Sequence, residues 1–381
     1  MKKRFYNINN LMTFSVVGPG KKVDYVHRQY SYFQCKKPVD NVDIEVRVGR
    51  FDENKIMGNE YEVVNRKYRV RGDAIFAEDS YKAAKWKFLI AGLQKRKTQI
   101  FFDGNYWGYY ILYKFFIEPV IRLKLNDRGY FMIHSSSVFV DGKAFVFPAS
   151  PSVGKTSTML NWLHSGMGFI ADEYTIIKDG QVFSYPTPLR LHDYNLKANP
   201  YICEDMLAID KLQISIRTWI FRLSFGYADV THEVDIWNVI RGVKIQDKAP
   251  LGQMVIFTKY SGEKVHVKKV SKKKFIEKLL IIDRFETTRF NEYLDAYYYV
   301  NDVPKEERFW DRMESNLLSM FSGSEYQEIN IPAHYTEETF KDINEVLGYK
   351  TSGVRGGIAC RCDRRYIVRF GVYDDRNGVA A

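Results

Sequence analysis

Through the N-terminal part of the chain, apolar positions tend to recur every second residue, which predicts strands there rather than helices. Residues 14–17 and 42–48 alternate in this way, and the run 68–76 turns at Gly72-Asp73. Residues 86–93 and 98–102 add two more strand-like runs, so a mostly antiparallel N-terminal sheet is expected. From 107 to 125 the rhythm changes. Tyr110, Leu112, Tyr113, Phe116, Ile117, Val120 and Leu123 fall at three- and four-residue steps, which predicts one broad-faced helix with a kink at Pro119. Core packing accounts for its aromatic stripe.

Strand-like runs return at 130–134, 137–140 and 144–147, the last two joined by an Asp141-Gly142 turn. The third runs into Phe147-Pro148-Ala149-Ser150-Pro151-Ser152-Val153-Gly154-Lys155-Thr156-Ser157, after which a helix is expected to about His164, with a stop at 166–168. A short strand over 169–171 ends at Asp172-Glu173, and 174–178 and 182–185 form a hairpin around Asp179-Gly180. The prolines in 186–192 predict an extended connector that carries Arg190 and His192. Residues 193–248 give no readable pattern. Beyond them come strands at 254–257 and 264–268, a basic helix over 272–282 capped by Ser271, helical sequence over 286–320, and a strand at 328–331. A final helix opens with a capping box at Thr336. Three segments are expected: a β-rich domain over 1–126 ending in a bridging helix, a mixed α/β (α+β) domain over 127–350, and a tail over 351–381.

Composition changes this picture little. With 381 residues, 45% of them hydrophobic and 15% aromatic, the chain can build more than one core. A formal charge of +11 leaves polyanionic partners open, although solvated lysine faces explain it as well. Cys35, Cys203, Cys360 and Cys362 are too few and too scattered for a disulfide framework, and they lack zinc-site spacing. The basic N-terminus is followed by no apolar run, and the most apolar stretch is interrupted by Lys114, Glu118 and Arg122. Neither a signal peptide nor a membrane segment is therefore expected, and a cytoplasmic location is.

Residues 147–157 carry the chemistry. A strand, a loop of small residues and a Gly-Lys-Thr that opens a helix make the pattern of a phosphate-binding loop: backbone N–H groups surround phosphate oxygens, the lysine adds a charge, and the hydroxyl holds magnesium. The loop is Ala149, Ser150, Pro151, Ser152, Val153, Gly154, Lys155, Thr156 and Ser157. Asp172 follows Lys155 by 17 residues at the end of a strand, where a carboxylate can meet a metal or take a proton from an attacking hydroxyl. Glu173 either shares the metal or faces solvent. His134 either approaches the phosphates or is structural. Ser135, Ser136 and Ser137 add hydroxyls with no distinguishing signal.

The order His134, hairpin, phosphate loop, helix and Ala171-Asp172-Glu173 resembles the C-terminal catalytic domain of HPr kinase/phosphorylase and its HPr-kinase-like relatives, over about residues 128–345. The segment 249–257 with 267–280 behind it is similar to their distal strands and helix. The resemblance implies a P-loop kinase domain related to phosphoenolpyruvate carboxykinase. It further implies ATP cradled by the loop, Lys155 on the β- and γ-phosphates, magnesium held by Thr156, Asp172 and Glu173, and Asp172 as the base. His134, Lys155 and Asp172 are the expected catalytic residues. Ala149 and Ser152 stand where that family usually has glycine, and Glu173 replaces a second aspartate. What the first two do depends on whether either position needs a positive φ.

Two functions follow. One is an ATP- and magnesium-dependent kinase that phosphorylates a hydroxyl on a protein, peptide or small alcohol. The other is a non-catalytic ATP-binding regulatory or assembly module with a basic partner surface, where lysines and aromatics such as those in 61–71 would stack on nucleic acid. Nucleic acid is the less favoured partner, no membrane partner is expected, and a homo-oligomer is open.

Overall fold

In the computed structural model of the chain, residues 1–224, 232–323, 325–334 and 336–348 are described. They divide into two units, one of Met1–Met132 with Asp283–Ser315, the other of Ile133–Ile282 with the residues from Asn316 onward. Both mix helices and sheet.

The first unit opens with β1 (Lys2–Ile8), β2 (Met12–Gly18), helix α1 (Gly20–Tyr30) and β3 (Ile44–Val48). After a short turn of helix, α2 (Asn54–Met57), a meander follows: β4 (Glu62–Val64), β5 (Tyr68–Arg71), β6 (Ala74–Tyr81), β7 (Ala84–Ala91) and β8 (Thr98–Gly104). The eight strands lie in the order β1-β2-β3-β8-β7-β6-β5-β4. The sheet is mostly antiparallel, as expected, but not wholly so, because β2 with β3 and β3 with β8 pair in parallel. A parallel pair needs a crossover, and α1 supplies the one from β2 to β3. Its Val23, Val26 and Tyr30 are buried, and Tyr30 meets Phe14 of β2 edge-on at 5.0 Å.

The expected kinked helix is three pieces: α3 (Tyr109–Leu112), a π-turn over Tyr113–Ile117, and α4 (Glu118–Asp127). The Glu118 N–H reaches back five residues to the Tyr113 carbonyl. Pro119 has no N–H to give to the preceding turn, and the helix widens just before it.

The second unit starts with β9 (Phe131–Val140), one continuous strand where two were expected, and turns at Asp141-Gly142 into β10 (Lys143–Pro148). Helix α5 (Lys155–His164), β11 (Gly168–Ala171) and the hairpin β12 (Tyr174–Lys178) and β13 (Gln181–Phe183) follow. Within the expected connector lies a short strand, β14 (Leu189–Leu191). The segment without a readable pattern holds α6 (Asp193–Ala198), α7 (Ile202–Asp205), α8 (Ala208–Leu223) and β15 (His232–Val234), the last paired with β14. Then come β16 (Lys248–Tyr260), β17 (His266–Ser271) and α9 (Lys272–Glu286).

Strand β16 is long enough to change partners along its length: β13 first, then β10 in parallel, then β18 (Glu325–Pro332) in parallel. Pairings among β10, β9, β12, β13 and β16 therefore close on themselves. The β10–β16 register slips at Gly252, where a side chain would run into Lys143 Cβ at 2.8 Å. Only glycine lets the two backbones come this close.

Helix α10 (Thr288–Val300) belongs to the first unit, whereas the 127–350 segment expected from sequence placed it in the second. The reason is aromatic packing. Tyr293 of α10 is fully buried, 5.7 Å from Phe88 of β7 and stacked on Phe116 at 6.3 Å. Helix α11 (Phe309–Met320) comes next, and α12 (Glu337–Val346) closes the described chain with the expected capping box of Thr336 and Thr339. The expected tail over 351–381, with Cys360 and Cys362, lies outside the described residues.

Candidate phosphate-binding site

Pro148 ends β10, and Ala149 continues its line as a single parallel bridge to Phe257 of β16. The chain then turns through Ser150, Pro151 and Ser152, all exposed, before Val153 plugs back into the core beneath the loop. Ser152 has φ 60° and Gly154 φ 111°, whereas Ala149 is not in the left-handed region. Of the two positions where glycine was looked for, only that of Ser152 is left-handed. Gly154 is the N-cap of α5 and brings no side chain to the first turn, which leaves the helix N-terminus to its own backbone donors.

Lys155, in the first turn of α5, is buried, and its Nζ donates to His134 Nε2 at 2.9 Å. An ammonium has only donors, so His134 must accept at Nε2 and carry its proton on Nδ1, which faces Glu173 Oε2 at 3.9 Å. Thr156 Oγ1 donates toward Asp172, 3.2 and 3.1 Å from its two carboxylate oxygens, and the Ser136 hydroxyl also donates to Asp172. Asp172 is fully buried. Burial, and then the Glu173 carboxylate, push its carboxyl above the ordinary value, while Lys155 and the two hydroxyls pull the other way. Glu173 itself is held at φ 73°, with its carbonyl accepting from the Ser135 N–H at 3.0 Å. Two residues with side chains thus occupy left-handed backbone at one edge of the unit, a form of strain that often accompanies functional sites.

His134, Lys155, Thr156 and Asp172 are brought together, and Glu173 sits beside them with its carboxylate toward His134. Arg190 lies on β14 opposite Glu233 at 4.0 Å, and His192 is the N-cap of α6, stacked on Tyr194. Sequence reasoning gave Ser136 no role. Its signal was the two-residue period, since residues 134 and 136 of one strand share a face. It also missed Lys259, whose Nζ reaches the Ser152 carbonyl at 3.3 Å. A polar network under α5 was missed as well: Asn195 Nδ2 donates to Ser157 Oγ at 3.2 Å, and Asn161 Nδ2 to Asn199 Oδ1 at 2.6 Å.

Within residues 61–71, three cations are engaged inside their own unit, Arg71 with the Met57 carbonyl. Lys67 pairs with Asp79 at 2.6 Å, and Arg69 lies over the Tyr61 and Phe76 rings. Among the described residues no group of three His, Cys, Asp or Glu side chains forms a metal cage. No family model matches the chain, and no curated protein matches it.

Proposed function

We propose that this chain is an ATP- and magnesium-dependent phosphotransferase of the HPr-kinase-like P-loop type, acting on a hydroxyl acceptor. The observation that carries the reading is the meeting of a helix-opening lysine, a hydroxyl and a buried, proton-hungry carboxylate at one strand–loop–helix edge.

The donors suit magnesium, which is usually held by one or two carboxylates together with substrate phosphates and waters rather than by a closed protein cage. Thr156 Oγ1 and Asp172 would hold it. When bound, the ion offsets charge on the transferring phosphoryl group. The chain's own residues do the rest. Backbone donors from Ser150 to Thr156 orient the phosphates, and Lys155 gives its ammonium to the β- and γ-oxygens, with His134 Nε2 fixing where that ammonium starts. Asp172 takes the acceptor's proton as its oxygen attacks.

Incubating the full chain with γ-labelled ATP, magnesium, Ser/Thr peptides and small alcohols tests the proposal. Label is expected on an acceptor with the native chain and on none with Asp172→Asn, while both bind nucleotide. Undiminished transfer by Asp172→Asn would remove the assigned base. Tight ATP binding with no labelled acceptor would favour the non-catalytic module instead.

A further inference from the structure

The phosphate loop carries backbone donors that the fold leaves unused. Ser152 at φ 60° and Gly154 at φ 111° flank Val153, which is not left-handed, so the backbone changes hand from one residue to the next. Alternation of this kind turns successive N–H groups toward one concavity that suits an anion. Neither the Val153 nor the Gly154 N–H has a hydrogen-bond partner among the described residues. Packing does little to hold the corner in place, because Ser150, Pro151 and Ser152 are exposed and Ser152 adopts a conformation that costs an ordinary residue energy.

We infer that Lys259 is the positioning residue of this loop: it fixes the Ser152–Val153 peptide so that the Val153 N–H faces the phosphate chain of the ligand. The inference rests on the nucleotide-binding reading proposed above. The carbonyl and N–H of a trans peptide point in opposite directions, so holding the one outward aims the other inward. Lys259 Nζ donates to the Ser152 carbonyl at 3.3 Å. Strand β16 delivers it there. Phe257 bridges Ala149 at the loop's entrance and stacks on Phe147 at 5.0 Å, and residue 259, two positions on, leaves the strand on the same face as Phe257. The two lysines of the loop thus differ in kind. Lys155 is buried, bonded to His134, and placed to meet the phosphates itself, whereas Lys259 is exposed and acts through the backbone.

Titration of the full chain with magnesium–ATP and with magnesium tripolyphosphate, which has the phosphates without the nucleoside, tests the assignment. Lys259→Met should lower affinity for both about ten-fold, the worth of one hydrogen bond to a charged group, and Lys259→Arg should keep most of it. The urea midpoint should stay native in both variants, since the side chain is exposed. In the chain without ligand the Val153 amide resonance should move on Lys259→Met, the mark of a peptide that has lost its hold. Lys259→Thr provides a second variant should Lys259→Met aggregate. Native affinity in Lys259→Met overturns the inference and leaves the nucleotide-binding reading standing, whereas no binding by the native chain overturns both. A loss of affinity with the Val153 resonance unmoved would overturn it by making Lys259 a direct phosphate contact. A fall in the urea midpoint that accounts for the lost affinity would overturn it by making Lys259 architectural.

Discussion

Each unit buries charge, and the two do so in opposite ways. In the first, Arg122 of α4 and Asp283, both almost fully buried, meet at 2.6 Å, and the Arg122 guanidinium also lies 5.9 Å from the Trp310 ring. A permanently charged cation and a carboxylate compensate each other directly, and the result is architecture. In the second, Lys155 gives its proton-bearing end to a histidine, while Asp172 is met by two hydroxyls and crowded by Glu173. The lysine and the aspartate are near each other, yet neither is the other's hydrogen-bond partner in the described contacts. A buried carboxylate whose proton is easily regained and a cation on a neutral acceptor are groups ready to exchange partners, which is what a reacting site requires.

The contrast breaks most sharply by substitution. Arg122→Met should leave Asp283 buried without its cation and cost about 3–5 kcal/mol, measured as a fall in the urea midpoint of the first unit. Next in size, Lys155→Met should leave the urea midpoint almost unchanged but lower phosphoryl transfer on the order of 10²-fold to 10³-fold. If Lys155→Met unfolds the chain as severely as Arg122→Met does, both clusters are architectural and the distinction fails.

Acidity separates them further. The Asp172 carboxyl is raised by burial first and by Glu173 second. A carboxyl that binds its proton more tightly in the folded state adds stability below the ordinary carboxylate range, and that stability is lost as pH climbs through the raised value. At neutral pH the ionised group is therefore a burden on the fold. Asp172→Asn should raise the neutral-pH unfolding temperature by a few degrees, about 1 kcal/mol, with the gain shrinking toward acid pH. Transfer by the native chain should fall on acidification, because the base must be ionised. Melting curves across pH in which Asp172→Asn is the less stable protein at neutrality would show that the hydroxyl hydrogen bonds outweigh desolvation.

What the sequence made legible was local. A strand, a small-residue loop and a helix opening lie within a dozen or so positions of one another, and Asp172 is recognisable because a short strand returns it to the same edge. Ser136 was readable in principle from its shared face with His134. Helix α1 was overlooked because its first turn, Gly20-Lys21-Lys22, is polar and its apolar residues are sparse. That omission hid the parallel pairings of β3 in a sheet otherwise antiparallel, as expected. The allegiance of α10 could not be read at all: Phe290 and Tyr293 announce a buried face, but which sheet receives it is decided by packing between residues some two hundred positions apart. Helix α8 escaped for a different reason, since among the described residues most of its apolar side chains stay exposed and Ile214 is the buried one.

The smallest effect concerns the two positions where glycine was looked for, and there the signs should differ. Ser152 is held at φ 60°, a conformation that costs an ordinary residue about 1 kcal/mol or more and glycine almost nothing. Ser152→Gly also loosens the unfolded chain, which offsets part of the relief. A net gain of a few tenths to about 1 kcal/mol is expected. Ala149 has no such strain, and its side chain is packed in the core while its backbone bridges to Phe257. Ala149→Gly should therefore only lose, by about 1 kcal/mol, through freed backbone and a missing methyl group. Urea titrations of the two variants read the difference directly. Destabilisation by both would mean that Ser152 is held in its turn by interactions worth more than the strain, and a gain from Ala149→Gly would show the bridge to Phe257 to be strained instead.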